Sequence, residues 1–239
     1  MTSIQEKNVL ISITYFIRNL LSKPLFDTLD THLGAVLDIG GGSFYKKLNR
    51  ENYIKYFVVE PALELLPEID EKLINVVSNG KLLPFKSNSF DTILLIQVLQ
   101  FIFEPNELIK EIHRVLRPGG KLILQVPQSG NLHGIPHHYY NFTRFWIEKS
   151  LTQNNLNIIN HYYLGGSWRT ISSRLFLMFW PVFKNDYYLD PLFQKRSLGF
   201  YITLPIQIIV SVIFFPITLL LSFFDIKEEA NNHLVIAQK

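Results

Sequence analysis

The chain has no cysteine among its 239 residues. Disulfides are therefore excluded, as is any mechanism that needs a thiolate as nucleophile or metal ligand. Charge is also scarce. Asp, Glu, Lys and Arg make up 18% of the chain, against about 25% in an average soluble domain. The formal net charge of +3 is not gathered into a dense basic cluster, so no nucleic-acid partner is expected. Seven histidines are present, but none forms a helical His-x-x-x-His pair with a carboxylate partner, and no metal site is expected. No secretory leader is expected either, because Glu6, Lys7 and Arg18 interrupt the first apolar residues and no small-residue cleavage site follows.

Apolar surface is what the chain has in excess. Hydrophobic residues reach 48%, with 19 Phe and 11 Tyr, so part of the surface is expected to face something other than water. The length suits one domain with an insertion or appendage.

The organising stretch is Val36 to Leu48. Val36, Leu37 and Ile39 read as the end of a buried parallel strand. Gly40, Gly41 and Gly42 then give a tight turn that lets the backbone approach a ligand, since no Cβ stands in the way. Ser43 is placed to cap a following helix. Gly40 and Gly42 supply two glycines of a dinucleotide fingerprint, but Tyr45 stands where the third belongs. That third glycine serves close helix–strand packing in a pyrophosphate site. Its absence argues against NAD or FAD and for a ligand without phosphates.

A second apolar strand, Tyr53 to Val59, ends in Glu60. An acid there, about 20 residues past the glycine turn, is placed to accept hydrogen bonds from ribose hydroxyls. Further strands are expected at 74–77, 92–96, 121–126 and 157–163, with helices at 107–116 and 142–151. Ile4 to Leu21 has the spacing of a helix with one apolar face. Strands alternating with helices mean a doubly wound, mostly parallel α/β sheet, whose ligands bind at the carboxyl ends of the strands. Gly40–Gly42, Glu60, Asn79, Gln97 and Gln128 all fall at such ends.

These residues resemble the class I S-adenosylmethionine-dependent methyltransferases, of the methyltransferase type 11-like kind. The resemblance rests on Val-Leu-Asp-Ile-Gly-Gly-Gly (36–42), Val-Val-Glu-Pro (58–61), Leu-Pro-Phe-Lys-Ser-Asn-Ser-Phe-Asp (83–91), Gln-Val-Leu-Gln (97–100) and Glu-Ile-His-Arg-Val-Leu-Arg-Pro-Gly-Gly-Lys-Leu (111–122). It covers about residues 30–165 and the last strand. It implies a Rossmann-like seven-stranded sheet and S-adenosyl-L-methionine as cofactor. Asp38, Gly40, Gly41 and Gly42 would hold the methionine part, Glu60 the ribose diol, and Pro61 would lie against the adenine. Asn79 and Gly80 would read the adenine edge, and Gln97 would line the methyl-donor side. Phe44-Tyr45 replaces the commoner glycine after the turn, Asn79 replaces the usual Asp, and Phe101 stands where many members carry His. Pro-His-His-Tyr-Tyr-Asn-Phe-Thr (136–143) resembles a bacterial subset linked to surface-glycan or lipid modification. His133, His137 and His138 are the candidate bases, since histidine suits proton transfer near neutral pH; as loop residues they equally suit shaping the pocket.

Leu198 to Phe224 contains no charged residue and exceeds the roughly 20 residues a bilayer span needs. The expected division is a methyltransferase-like domain of residues 1–165 plus 230–239 and a hydrophobic helical insertion of residues 166–229. If the last residues pair with the sheet, the insertion must return to the side it left. It then dips into a membrane and comes back, with Pro216 as a bend, or lies along the interface. A dimer interface, a helical cap over the sheet and a single span are the other readings; the oligomeric state is left open. The expected function is methylation of a small-molecule, lipid-linked or glycan-related acceptor at the cytoplasmic face of the membrane, or in the cytoplasm. The rival is a catalytically impaired cofactor-binding or scaffolding protein of the same fold. A nicotinamide enzyme is a more distant alternative.

Overall fold

The computed structural model describes residues 23–42, 44–67, 71–78, 82–130, 134, 136–172, 174–175 and 198–239. Seven strands form one sheet: β1 (Gly34–Ile39), β2 (Tyr53–Glu60), β3 (Leu73–Val77), β4 (Phe90–Ile96), β5 (Leu116–Pro127), β6 (Asn157–Leu164) and β7 (Asn232–Gln238). Their order is β3-β2-β1-β4-β5-β7-β6. The first five run parallel, and β7 lies antiparallel between β5 and β6. The chain reverses direction of growth at β1, so β1 and β4 flank the switch point where a ligand binds in such sheets.

Both faces of the sheet are covered. Residues 23–29 form helix α1, which buries Leu25 and Leu29 against Val36, Tyr56, Val58 and Leu94. On the other face lie α2 (Pro105–Val115) and α3 (Arg144–Gln153). Helix α2 turns Leu108, Ile109, Ile112 and Val115 onto Leu37, Ile93, Leu95 and Leu122, an apolar stripe of i, i+3, i+4 and i+7 type. Thr143 caps α3 by accepting a hydrogen bond from the Trp146 N–H.

Two local expectations change. Phe44–Lys47 is a four-residue 3-10 turn, followed by another at Arg50–Asn52, where a helix was expected. Too few residues separate Gly42 from Tyr53 for several α-helical turns and a return loop. Strand β5 already begins at Leu116 and carries Pro118-Gly119-Gly120 within it. Gly119 takes φ +80° there, and the β4–β5 register shifts between Phe90 and Thr92 to absorb it. The first expected helix, 4–21, lies outside the described residues.

The chain leaves the sheet after Leu164 and re-enters at Asn232. These departure points adjoin: a β-carbon built on Gly165 would stand 3.5 Å from Asn231 Cβ. Between them come helix α4 (residues 167–172) and the 24-residue helix α5 (Leu198–Leu221). Helix α5 continues through Pro205 and Pro216. Hydroxyls in the helix bond back to its own carbonyls: Thr203 Oγ1 donates to Gly199 O, and Thr218 Oγ1 to Phe215 O. Asp225 accepts from the Trp168 and Arg169 N–H groups at the start of α4.

Candidate active site

The glycine turn sits where β1 ends, and packing explains each glycine. Gly40 and Gly42 have φ of +69° and +49°, the left-handed region that residues with a Cβ avoid. A β-carbon on Gly40 would come within 2.6 Å of Val98, so the β1 turn lies directly against the segment that follows β4. A β-carbon on Gly41 would collide with the Asp38 carboxyl. The Gly40 N–H donates to Val59 O, which ties the turn to β2.

Glu60 ends β2 and directs its carboxylate into the turn, where Oε1 accepts from the Gly42 N–H at 2.7 Å. The residue is 6% exposed. Burial pushes its pKa up, and the Gly42 hydrogen bond opposes that rise. The Glu60 backbone carbonyl accepts from the Ser78 N–H, so β3 ends beside it. Pro61 follows on the surface. Asn79 and Gly80 lie outside the described residues, and so does Ser43.

Asp38 lies beneath the turn rather than in the open cleft. It is 0% exposed and accepts from Tyr56 Oη at 2.5 Å. Burial lifts its pKa to about 7; the Tyr56 hydrogen bond lowers it and the charge of Glu60 raises it further. Its Oδ1 is buried without a partner among the described residues. Tyr56 was not singled out in the sequence. Period-2 alternation in β2 places it on the same sheet face as Val58, which was a usable signal.

Gln97 holds φ +59°, a strained conformation for a residue with a side chain. The strain is held by its N–H donating to Gln125 O and by its Nε2 donating to Asn232 Oδ1 at 2.7 Å. Gln97 therefore bridges the carboxyl end of β4 to the entry of β7. His137 and His138 arrive from the chain after β5. The backbone N–H of Tyr139 donates to Gln100 O, and Tyr140 Oη donates to Phe103 O. His138 packs edge-on against Phe101 at 5.7 Å, with its Nε2 3.1 Å from Tyr140 O. His137 Nδ1 is 3.2 Å from Tyr139 Oη. His133 lies outside the described residues.

Two further arrangements escaped the sequence reading. Arg114 donates to Phe85 O and Leu83 O while paired with Glu111, which accepts from the Leu83 N–H. This bracket fixes the Leu-Pro-Phe loop on the way from β3 to β4. The second is a buried chain: His161 Nε2 meets His233 Nδ1 at 3.0 Å, and His233 Nε2 meets Gln128 Oε1 at 2.6 Å. Burial holds the His233 pKa down at about 4 and lowers that of His161, so both rings are neutral at pH 7. No local signal in the sequence links positions 72 residues apart.

The crest thus gathers glycine backbone, one carboxylate, and an unpartnered buried carboxyl oxygen under a turn that only glycines can make. These donors and acceptors fit the amino-acid and ribose groups of a nucleoside without phosphates. A groove of about 570 Å³ that includes Lys23, His32 and Lys121 lies at the opposite, amino ends of the strands and is not part of this arrangement.

Comparison with known proteins agrees. Residues 37–124 match a methyltransferase domain family. The human mitochondrial arginine-hydroxylase NDUFAF5 is 32% identical over 92 residues, covering 36% of this chain and 27% of that protein. The ubiquinone/menaquinone biosynthesis C-methyltransferase UbiE of Rickettsia prowazekii is 29% identical over 134 residues, covering 49% and 54%. The chain spans between about a quarter and a half of the length of these curated relatives. Among solved structures, an S-adenosylmethionine-dependent methyltransferase from Mesorhizobium loti superposes with a TM-score of 0.56 at 11% identity, covering 93% of this chain and 100% of that one. Residues 37–124 thus match a methyltransferase domain family, and they sit in a seven-stranded sheet with the fold seen in S-adenosylmethionine-dependent methyltransferases.

Proposed function

We propose that the chain transfers a methyl group from S-adenosylmethionine to a lipid-linked or glycan-related acceptor at the cytoplasmic face of a membrane. The contact between Glu60 and Gly42 carries the cofactor half of this reading, since it aims a buried carboxylate at the β2 end into the glycine turn. In the bound state the carboxylate would exchange the Gly42 N–H for ribose hydroxyls, and the exposed Gly42 N–H would face the ligand. Bound there, S-adenosylmethionine supplies a methyl group on a cationic sulfur. The chain's part is to orient the acceptor in line and to exclude water. His137 and His138, docked over the segment after β4, are the proposed proton acceptors for an oxygen or nitrogen nucleophile.

Helix α5 supports the membrane half. The stretch Tyr201–Phe224 has a mean hydropathy of 2.4, and only 11% of its apolar window is buried. A core helix of this composition would be covered by protein. At about 1.5 Å per residue it measures roughly 36 Å, against about 30 Å of bilayer hydrocarbon. Gly165 and Asn231 adjoin, so the insertion ends where it began, which supports an even number of crossings or none. The segment between α4 and α5 offers only Leu175–Phe183 as an uncharged apolar run, too short to cross back. These features support monotopic or re-entrant association, with residues 166–229 as the proposed membrane-associating insertion and residues 1–165 plus 230–239 as the proposed methyltransferase-like domain.

Phe101 favours a second reading, a cofactor-binding protein that does not catalyse methyl transfer, because it puts a ring where a base could stand. Calorimetric titration with S-adenosylmethionine tests the common part: binding should be lost in Glu60→Ala. Transfer of a labelled methyl group to a membrane extract then separates enzyme from binder. Unchanged solubility of a chain lacking residues 198–224 would refute the membrane half.

A further inference from the structure

Where the insertion meets the sheet, basic and apolar surface adjoin. The exposed apolar face of α5 continues to the very foot of the insertion, where Phe223 and Phe224 are each 80% exposed and Ile226 is 53% exposed. The next layer is α4. Arg169 lays its Cγ and Cδ over the Gly165–Asn231 junction. Its Nε is buried and lacks a partner among the described residues, as does the hydroxyl of its neighbour Thr170. Arg174, one and a half helical turns on, reaches the same junction from the other side: its Nη2 donates to Ser129 O, and Ser129 is bonded through its N–H to Asn231 O. Asp225 faces Arg169 but is occupied by the Trp168 and Arg169 backbone N–H groups.

A guanidinium whose buried N–H finds no acceptor among the described residues is a costly arrangement unless an anion completes it. Burial already presses on the Arg169 charge, with Asp225 offsetting it in part. The junction also opens inward. Asn231 leads to Asn232, which accepts from Gln97 at the end of β4, so a polar path links the arginines to the proposed cleft.

We propose that Arg169 and Arg174 form a binding site for the phosphate of an anionic amphiphile whose hydrocarbon lies along Leu198–Phe224. The inference rests on the membrane reading above and specifies the lipid partner. The phosphate would complete the Arg169 fork, which a planar guanidinium does in two parallel hydrogen bonds. The headgroup would then project along the Asn231–Gln97 path toward the methyl-donor side.

Flotation of the full chain on vesicles tests this, using phosphatidylcholine alone and phosphatidylcholine mixed with phosphatidylglycerol. Wild type is expected to float on both and to prefer the anionic vesicles. Arg169→Gln should lose about fivefold of that preference, as should Arg174→Gln, while binding to neutral vesicles is kept. Arg169→Lys should not restore it, since a point charge does not reproduce the fork. Circular dichroism and S-adenosylmethionine titration confirm that each variant is folded. An undiminished preference in both glutamine variants, or full function in Arg169→Lys, overturns the site. Loss of the preference on adding inorganic phosphate at constant ionic strength reassigns it to a free anion and overturns the lipid. Equal wild-type binding to both vesicles overturns this inference alone, whereas no binding to either overturns the membrane reading with it.

Discussion

Replacing Asp38 with Asn isolates the cost of a carboxylate held beneath the glycine turn. Burial lifts the Asp38 pKa from its ordinary 3.8 to about 7, against the pull of the Tyr56 hydrogen bond. The folded value lies above the unfolded one. The folded chain therefore keeps the proton over a pH range in which the unfolded chain has released it. The stability this contributes is complete below about pH 4 and is lost as pH rises through about 7. At about 1.4 kcal/mol per pH unit, the loss between about pH 5 and about pH 8 is roughly 3 kcal/mol. Asparagine preserves an oxygen for Tyr56 Oη and never ionises. His161 and His233 act in the opposite sense, because burial lowers their values and their neutral forms favour the fold as pH rises. Wild type alone would show a mixed profile, so the informative quantity is the difference between wild type and Asp38→Asn. Urea unfolding of both, followed by circular dichroism at the two pH values, should show wild type losing about 3 kcal/mol relative to the variant on going to the higher pH. A difference that stays constant across that range would refute a buried, proton-holding Asp38.

Gly41→Ala forces a Cβ into the Asp38 carboxyl and should abolish S-adenosylmethionine binding in a titration while far-UV circular dichroism still reports the sheet. Arg114→Ala removes two charge-assisted hydrogen bonds to the 83–85 loop and should destabilise the chain by about 2 kcal/mol in urea unfolding. Ser172 Oγ donates to Thr218 Oγ1 at 2.7 Å in a buried pair. Ser172→Ala alone should cost about 1 kcal/mol and add little once Thr218→Val is present, a coupling readable in a double-mutant cycle. Relative to His233→Gln, wild type should lose stability as pH falls from about 6.5 toward 4, read as the difference between the two unfolding free energies.

The cofactor side of the fold was legible because its signals are local. Leu37 and Ile39 before three glycines, and Val58 and Val59 before Glu60, each declare a strand and what ends it within a few residues. The run from Leu198 to Phe224 was legible for the same reason, as length without charge. The 44–47 turn was misjudged because strand–glycine–helix patterning does not weigh how little chain remains before Tyr53. Pro216 lies inside a helix that continues past it, which a single residue type read locally does not decide. The Asp38–Tyr56 pair and the Gln97–Asn232 bridge depend on register between strands. The His161–His233–Gln128 chain depends on β7 slotting between β5 and β6, a long-range pairing that leaves no periodic trace.

Strands β6 and β7 are neighbours in space and opposite in direction, and Leu164 pairs with Asn232. Stripped of everything between them, they are a β-hairpin, and the whole insertion occupies the place of its turn. The sheet could thus be closed by a few glycines bridging Gly165 to Asn231. Shortening that loop would recover about 2 kcal/mol of closure entropy. The apolar insertion is in this sense a graft onto a self-sufficient scaffold, and a shortened, cofactor-competent version of the protein should be obtainable by pruning it at the turn.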